Sequence, residues 1–118
     1  MSIESYKNII KGRMGEKRYI HSVNVAKQAQ KLAKIYGCDE EKAMTAGILH
    51  DVTKETPFDE QLKIITEGGI ILDEIEKSSQ KLWHPISGSV YIQKYLDIND
   101  ADIINDIRFH TTGRCNIN

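Results

Sequence analysis

The run Ala43-Met44-Thr45-Ala46-Gly47-Ile48-Leu49-His50-Asp51-Val52-Thr53-Lys54 constrains the fold more than any other stretch of the chain. It reads as a helix that is apolar nearly all the way round, and such a helix belongs inside a core. Yet it carries His50 and Asp51 side by side near its C-terminal end. Burying an unpaired carboxylate costs several kcal/mol, or shifts its pKa until it is neutral. A metal ion removes that cost by taking the Asp oxygen and the His nitrogen as ligands. Ala43, Ala46 and Gly47 lie one or two turns earlier, where small side chains let a neighbouring helix come close. Gly47 costs about 1 kcal/mol relative to Ala in a helix, so a packing reason is expected for it. Lys54 lies four residues beyond His50 and three beyond Asp51, on the same side of that helix. Four histidines in a chain rich in aspartate make a chance His-Asp pair ordinary. The case therefore rests on the other histidines.

The rest of the chain reads as helices separated by clear punctuation. Ser2 caps a short helix over residues 3–13, which Gly15 ends. A long helix follows from about Glu16 to Tyr36, with Tyr19, Ile20, Val23, Ala26, Ala29, Ala33 and Tyr36 at helical spacing. Gly37 stops it. Asp39 is the N-cap of the central helix, with Glu40 and Glu41 suiting its dipole, and that helix is expected to end near Glu55. Thr56-Pro57-Phe58-Asp59 is a restart, with Thr56 as N-cap and Pro57 at the first helical position. The helix it opens stops at Gly68-Gly69, and residues 73–80 are weakly helical. Pro85 opens a helix to about Tyr95, which puts His84 at its N-cap. A last helix runs from about Asn99–Asp102 to His110. No strand, repeat or internal linker is evident. The expectation is an all-α domain of about six helices, packed orthogonally or as an irregular bundle.

At 118 residues the sequence fits one domain, 1–118, with enough length for a real core. Its net charge of −1, with both signs interleaved, argues against a nucleic-acid or membrane-surface protein. Any phosphate binding must come from a local cluster. Lys7, Lys11, Arg13, Lys17 and Arg18 break up the N-terminus, so no secretory leader is expected. Cys38 and Cys115 show no paired spacing and are expected as reduced thiols of a cytoplasmic protein.

All four histidines have similar addresses. His21 lies inside a helix near its apolar stripe, His50 at the end of the buried helix, His84 at a helix start and His110 at a helix end. With Asp51 they form a series spread over four helices, which is how a bundle builds a metal site in its core. These residues resemble the HD-domain metal-dependent phosphohydrolases, and more closely the bacterial YqeK-type symmetrical diadenosine tetraphosphate hydrolases. The segments that carry the resemblance are Arg18-Tyr19-Ile20-His21-Ser22, Ile48 to Lys54, Trp83-His84-Pro85 and Ile107 to Arg114. The His110-Thr111-Thr112-Gly113-Arg114 run is its most specific piece.

The resemblance implies an HD-domain bundle with His21, His50 and Asp51 as metal ligands. His84 and His110 match positions that hold a second metal or touch the substrate phosphates. Arg18, Lys54, Thr111, Thr112 and Arg114 match the polar and basic groups around the nucleotide. It implies iron as the usual metal, diadenosine tetraphosphate as substrate and ADP as product. The family also supplies a further Asp ligand from a helix after the final histidine. Here the chain runs only to Asn118 without one. The expectation is thus an HD domain lacking the family's closing helices: either the sequence is truncated or another chain completes the core, a homodimer being the simplest case.

The residues support this chemistry in their own right. Imidazole plus carboxylate without thiolate suits iron, manganese, cobalt or zinc. Three protein ligands leave positions for water and a phosphate oxygen. Asp51 has two oxygens to share between metals. Arg18 and Arg114 can clamp phosphate bidentately, and Lys54 adds a point charge. His84 or His110, where not a ligand, can protonate the leaving oxygen. Two alternatives stay open: hydrolysis of another nucleotide or phosphate ester, and a nucleotide-binding module without turnover.

Overall fold

The structure, a computed structural model, describes residues 2–109. The expectations for His110, Thr111, Thr112 and Arg114 therefore lie outside the described residues. Among those described, every element is helical: α1 (Ile3–Lys11), α2 (Glu16–Tyr36), α3 (Glu40–Leu49), α4 (Phe58–Glu67), α5 (Glu74–Ser78), a 3₁₀ turn (Gln80–Leu82), α6 (Trp83–Tyr95) and α7 (Ala101–Phe109). The all-α expectation holds, with seven α-helices rather than about six because the weak 73–80 stretch forms its own short helix. No helix among the described residues is long and apolar enough to cross a membrane.

The punctuation residues do the work their chemistry suggests. Ser2 accepts the Ser5 N–H at 3.2 Å and Asp39 accepts the Lys42 N–H at 3.0 Å. Asp73 and Glu76 close a reciprocal capping box at the start of α5. Gly37 ends α2 with φ 71°, and the Cys38 N–H then reaches the Ala33 carbonyl at 2.8 Å. That left-handed turn favours glycine, which carries no Cβ. The expectation for the two thiols involves Cys115, which also lies outside the described residues.

α3 is the centre of the domain. Five consecutive residues, Thr45 to Leu49, are buried, as expected for a helix apolar on every side. α1, α2 and α7 all pack against it. Ala46, Ile48, Leu49 and Val52 join Tyr6, Ile10, Ala26, Ile92, Ile98, Ile103 and Ile107 in the main core. A smaller cluster of Ile65, Leu72, Trp83 and Ile86 lies under α4 and α6. The inner face of α2 keeps the alanines of the expected stripe but departs from it at Ser22, Ile20 and Tyr36. Ser22, Ala26, Ala29 and Ala33 are its buried residues, while Ile20 and Tyr36 are largely exposed. The reason is close approach. A Cβ placed on Gly47 would lie 2.6 Å from the Ala26 Cα and 2.9 Å from its N. Two backbones in contact leave room only for small side chains between them.

Three helix boundaries also differ. α3 stops at Leu49, with His50 as its C-cap. Beyond it the chain winds in tighter turns, Val52 N–H to Leu49 O at 3.1 Å and Lys54 N–H to Asp51 O at 2.9 Å. The helical register that would carry Lys54 to the His50 side therefore ends too early, and Lys54 is exposed. The restart before α4 has Pro57, not Thr56, at the N-cap position, because the Thr56 hydroxyl accepts from Arg13 Nη2 at 2.9 Å. α6 begins at Trp83, so His84 occupies the second helical position rather than the cap. Pro85 is still within the first turn, where the missing N–H has no helical partner to lose.

The Gly47 contact generates a test. Gly47→Ala gains about 1 kcal/mol in helix propensity but loses about 1–3 kcal/mol to overpacking against a backbone that cannot rotate away. The loss should win, lowering Tm by several degrees in a thermal melt followed by circular dichroism. An unchanged or higher Tm would mean that α2 yields freely.

Candidate metal centre

The close α2–α3 crossing brings the three predicted metal ligands together. His21 projects from α2, and His50 and Asp51 follow the end of α3. Their ligand atoms all lie within 4.8 Å of one another. Asp51 Oδ2 is 3.2 Å from His50 Nε2 and 3.9 Å from His21 Nε2. The other oxygen, Oδ1, is 3.5 Å from His84 Nε2. One carboxylate thus faces three imidazoles from three segments. The His21 side chain is 54% exposed, whereas that of Asp51 is 7% exposed, so the cluster opens to solvent on the α2 side.

The donors fit a divalent cation. His50 Nδ1 lies 2.7 Å from the Gly47 carbonyl. A carbonyl can only accept, so Nδ1 carries a proton and Nε2 is the nitrogen left to face Asp51 and a cation. Ligand bonds of about 2.0–2.2 Å nearly bridge the observed spacing. No thiolate is present, and nitrogen–oxygen sets suit first-row divalent ions.

Electrostatics favour the charged carboxylate. Burial pushes the Asp51 carboxyl up, but the His50 hydrogen bond and charge, the Arg18 hydrogen bond and the His84 charge overturn that and hold it far below the usual carboxylate range. Burial likewise pulls the His50 imidazole down. The Asp51 carboxylate and the Gly47 carbonyl outweigh that, and it stands raised despite the opposing Arg18 charge.

Arg18 enters the cluster directly. Its Nη1 donates to Asp51 Oδ2 at 3.1 Å, and its Nε donates to Glu55 Oε2 at 3.1 Å. Sequence reasoning placed Arg18 near the site but missed Glu55, and nothing in the spacing links residues this far apart. Arg13 was missed as well. It donates through Nε to the Val52 carbonyl at 3.3 Å and stacks 4.4 Å above the Tyr91 ring. These contacts hold the turn carrying His50 and Asp51 against α6. A buried polar chain holds its other side. Thr53 Oγ1 donates to the His84 carbonyl at 3.0 Å and meets Ser87 Oγ at 2.8 Å. Ser87 also donates to Gln61 Oε1 at 3.2 Å, and Gln61 donates to the Thr56 carbonyl at 2.8 Å. This network ties the His84 turn to the Asp51 turn.

The model of the HD domain matches residues 18–114. The chain belongs to the HD-domain family. This HD domain is 37% identical over 114 residues to a symmetrical bis(5'-nucleosyl)-tetraphosphatase of Staphylococcus aureus, covering 97% of the chain and 58% of that protein. It is 37% identical over 109 residues to the protein of the same name from Halalkalibacterium halodurans, covering 92% of the chain and 58% of that relative. A crystal structure from Clostridium acetobutylicum, described as a predicted HD superfamily hydrolase involved in NAD metabolism, superposes with a TM-score of 0.88. It is 37% identical and spans all of this chain, which in turn covers 62% of that one. The HD domain here thus spans somewhat over half the length of these relatives.

The polar network generates a second test. Thr53→Val removes a fully buried hydroxyl, leaving the His84 carbonyl with only the longer Ser87 hydroxyl contact at 3.4 Å and Ser87 without its Thr53 partner. Its cost should be about 1–3 kcal/mol in urea unfolding, and a change within about 0.5 kcal/mol, as for an ordinary surface site, would mean the network does not hold the two turns together.

Proposed function

We propose that this HD domain carries the active site of a metal-dependent hydrolase that cleaves diadenosine tetraphosphate symmetrically, consuming one water and releasing two ADP. The observation that carries the reading is the convergence of His21 and His50 on one Asp51 carboxylate oxygen, in a chain whose relatives are named for that activity. A divalent cation, when bound, lowers the pKa of a coordinated water and polarises phosphorus. Iron is the metal we favour, with manganese, cobalt and zinc compatible with the same donors.

The chain's own residues supply the rest. His50 is oriented by the Gly47 carbonyl, which takes its Nδ1 proton and leaves Nε2 as the nitrogen that would hold a cation. Asp51 offers one oxygen to the His21–His50 side and the other to His84. His84 then either holds a second ion or donates a proton to the leaving phosphate oxygen, and we assign His110 to the same pair of roles. Arg18 clamps phosphate from the rim. Lys54, Thr111, Thr112 and Arg114 complete the proposed nucleotide-binding set. The proposed domain is 1–118 as one unit. The proposed setting is the cytoplasm, with neither nucleic acid nor membrane as partner, in keeping with a net charge of −1.

The test is metal content and diadenosine tetraphosphate turnover on one purified sample, beside His50→Ala. Near-stoichiometric metal is expected, with ADP as sole nucleotide product and both lost on chelation. The variant should lose more than the roughly 10–100-fold that outer-shell changes cost. AMP plus ATP as products would overturn symmetrical cleavage. Metal without turnover would leave a nucleotide-binding module instead.

A further inference from the structure

Glu55 has no role in the reading above, yet it is the best-placed charge at the rim of the site. Its Oε2 accepts from Arg18 Nε at 3.1 Å, while its Oε1 accepts the Gly15 N–H at 2.9 Å. The backbone donor precedes α2, the helix that bears both Arg18 and His21. Glu55 is therefore anchored on one side and holds Arg18 on the other. Arg18 spends its second edge on Asp51 Oδ2, the same oxygen that faces His50 Nε2 and His21 Nε2. A cation drawn to those three groups and the Arg18 guanidinium compete for one oxygen.

We infer that Glu55 is a positioning residue that parks Arg18 when a cation takes Asp51. The inference rests on the metal reading of the site. The guanidinium is planar and can serve two carboxylates at once through separate edges. When it yields Asp51 Oδ2, its Nε bond to Glu55 persists. Arg18 thus keeps one ion pair and turns its other edge outward, at the edge of the cluster where a phosphate would arrive. Without Glu55, release of Asp51 would strip Arg18 of both carboxylates that the structure gives it, and capture of the cation would be harder. The side chains of Arg18 and Glu55 are 32% and 41% exposed, so solvent moderates the effect without erasing it.

The geometry sets opposite signs for the two residues. Removing Arg18 removes a competitor for Asp51, so the cation should bind more tightly. Removing the Glu55 charge commits Arg18 to Asp51, so the cation should bind less tightly. Glu55→Gln is suitable because its amide oxygen can still accept the Gly15 N–H, while Glu55→Asp keeps the charge.

The experiment is a double-mutant cycle read by Mn²⁺ affinity, with the free ion followed by its paramagnetic resonance signal. The set is wild type, Arg18→Met, Glu55→Gln, the double variant, Glu55→Asp and His50→Ala, each checked for helicity. Arg18→Met should tighten Mn²⁺ binding and Glu55→Gln should weaken it, each by roughly three- to tenfold. In the Arg18→Met background, Glu55→Gln should change the affinity by less than about twofold. Glu55→Asp should retain most of the wild-type affinity. An equal loss in both backgrounds would reduce Glu55 to a distant negative charge and overturn the inference while leaving the metal site intact. Wild type that binds no Mn²⁺, or binding indifferent to His50→Ala, would overturn the metal reading and the inference with it.

Discussion

The distance between α2 and α3 sets everything else in this domain. Gly47 lets the backbone of Ala26 lie where a side chain would otherwise stand. That approach explains why the buried face of α2 is built from serine and alanine. It also brings His21 to the end of α3. The Gly47 carbonyl then accepts the His50 imidazole N–H one turn later. One glycine therefore spaces two helices and orients the ring that follows it. Any substitution there alters packing and ligand geometry together.

Asp51 is the second centre of the design. A carboxylate this buried would be costly alone. Here the groups facing it are all donors or potential cations: His21, His50 and His84, and the Arg18 guanidinium. The domain keeps the negative charge by surrounding it. The turn that presents it is braced by Arg13 from one side and by Thr53, Ser87 and Gln61 from the other. The polar groups buried near the site are thus positional, holding a short non-helical segment that has no ladder of its own.

Much of this was legible in the sequence because helix ends carry local chemistry. Ser2, Asp39 and Gly37 act within a few residues of themselves, and each caps where expected. The small residue in α3 also announced a close neighbour. What escaped depends on distant partners. α3 ends six residues earlier than its apolar pattern suggests, while Thr53 bonds a carbonyl 31 positions away. Hydropathy found the alanines of the inner face of α2 but not Ser22, and it wrongly added Ile20 and Tyr36, because a close crossing selects size over apolarity. Arg18 was placed near the ligands by helical spacing, but its partner Glu55 lies on another segment. His21, His50, Asp51 and His84 were legible as candidates only as a set, and the structure gathers those four.

The chain has a single tryptophan, and it stands next to one of these histidines. Trp83 is nearly buried, its indole N–H donates to the Glu76 carbonyl at 2.8 Å, and its ring meets the edge of Phe58 at 5.9 Å. The following residue, His84, reaches Asp51. A dry, hydrogen-bonded indole emits differently from a wet one. The domain therefore contains its own optical reporter, one residue removed from the site. Movements of the start of α6 can be followed by light, with no label attached.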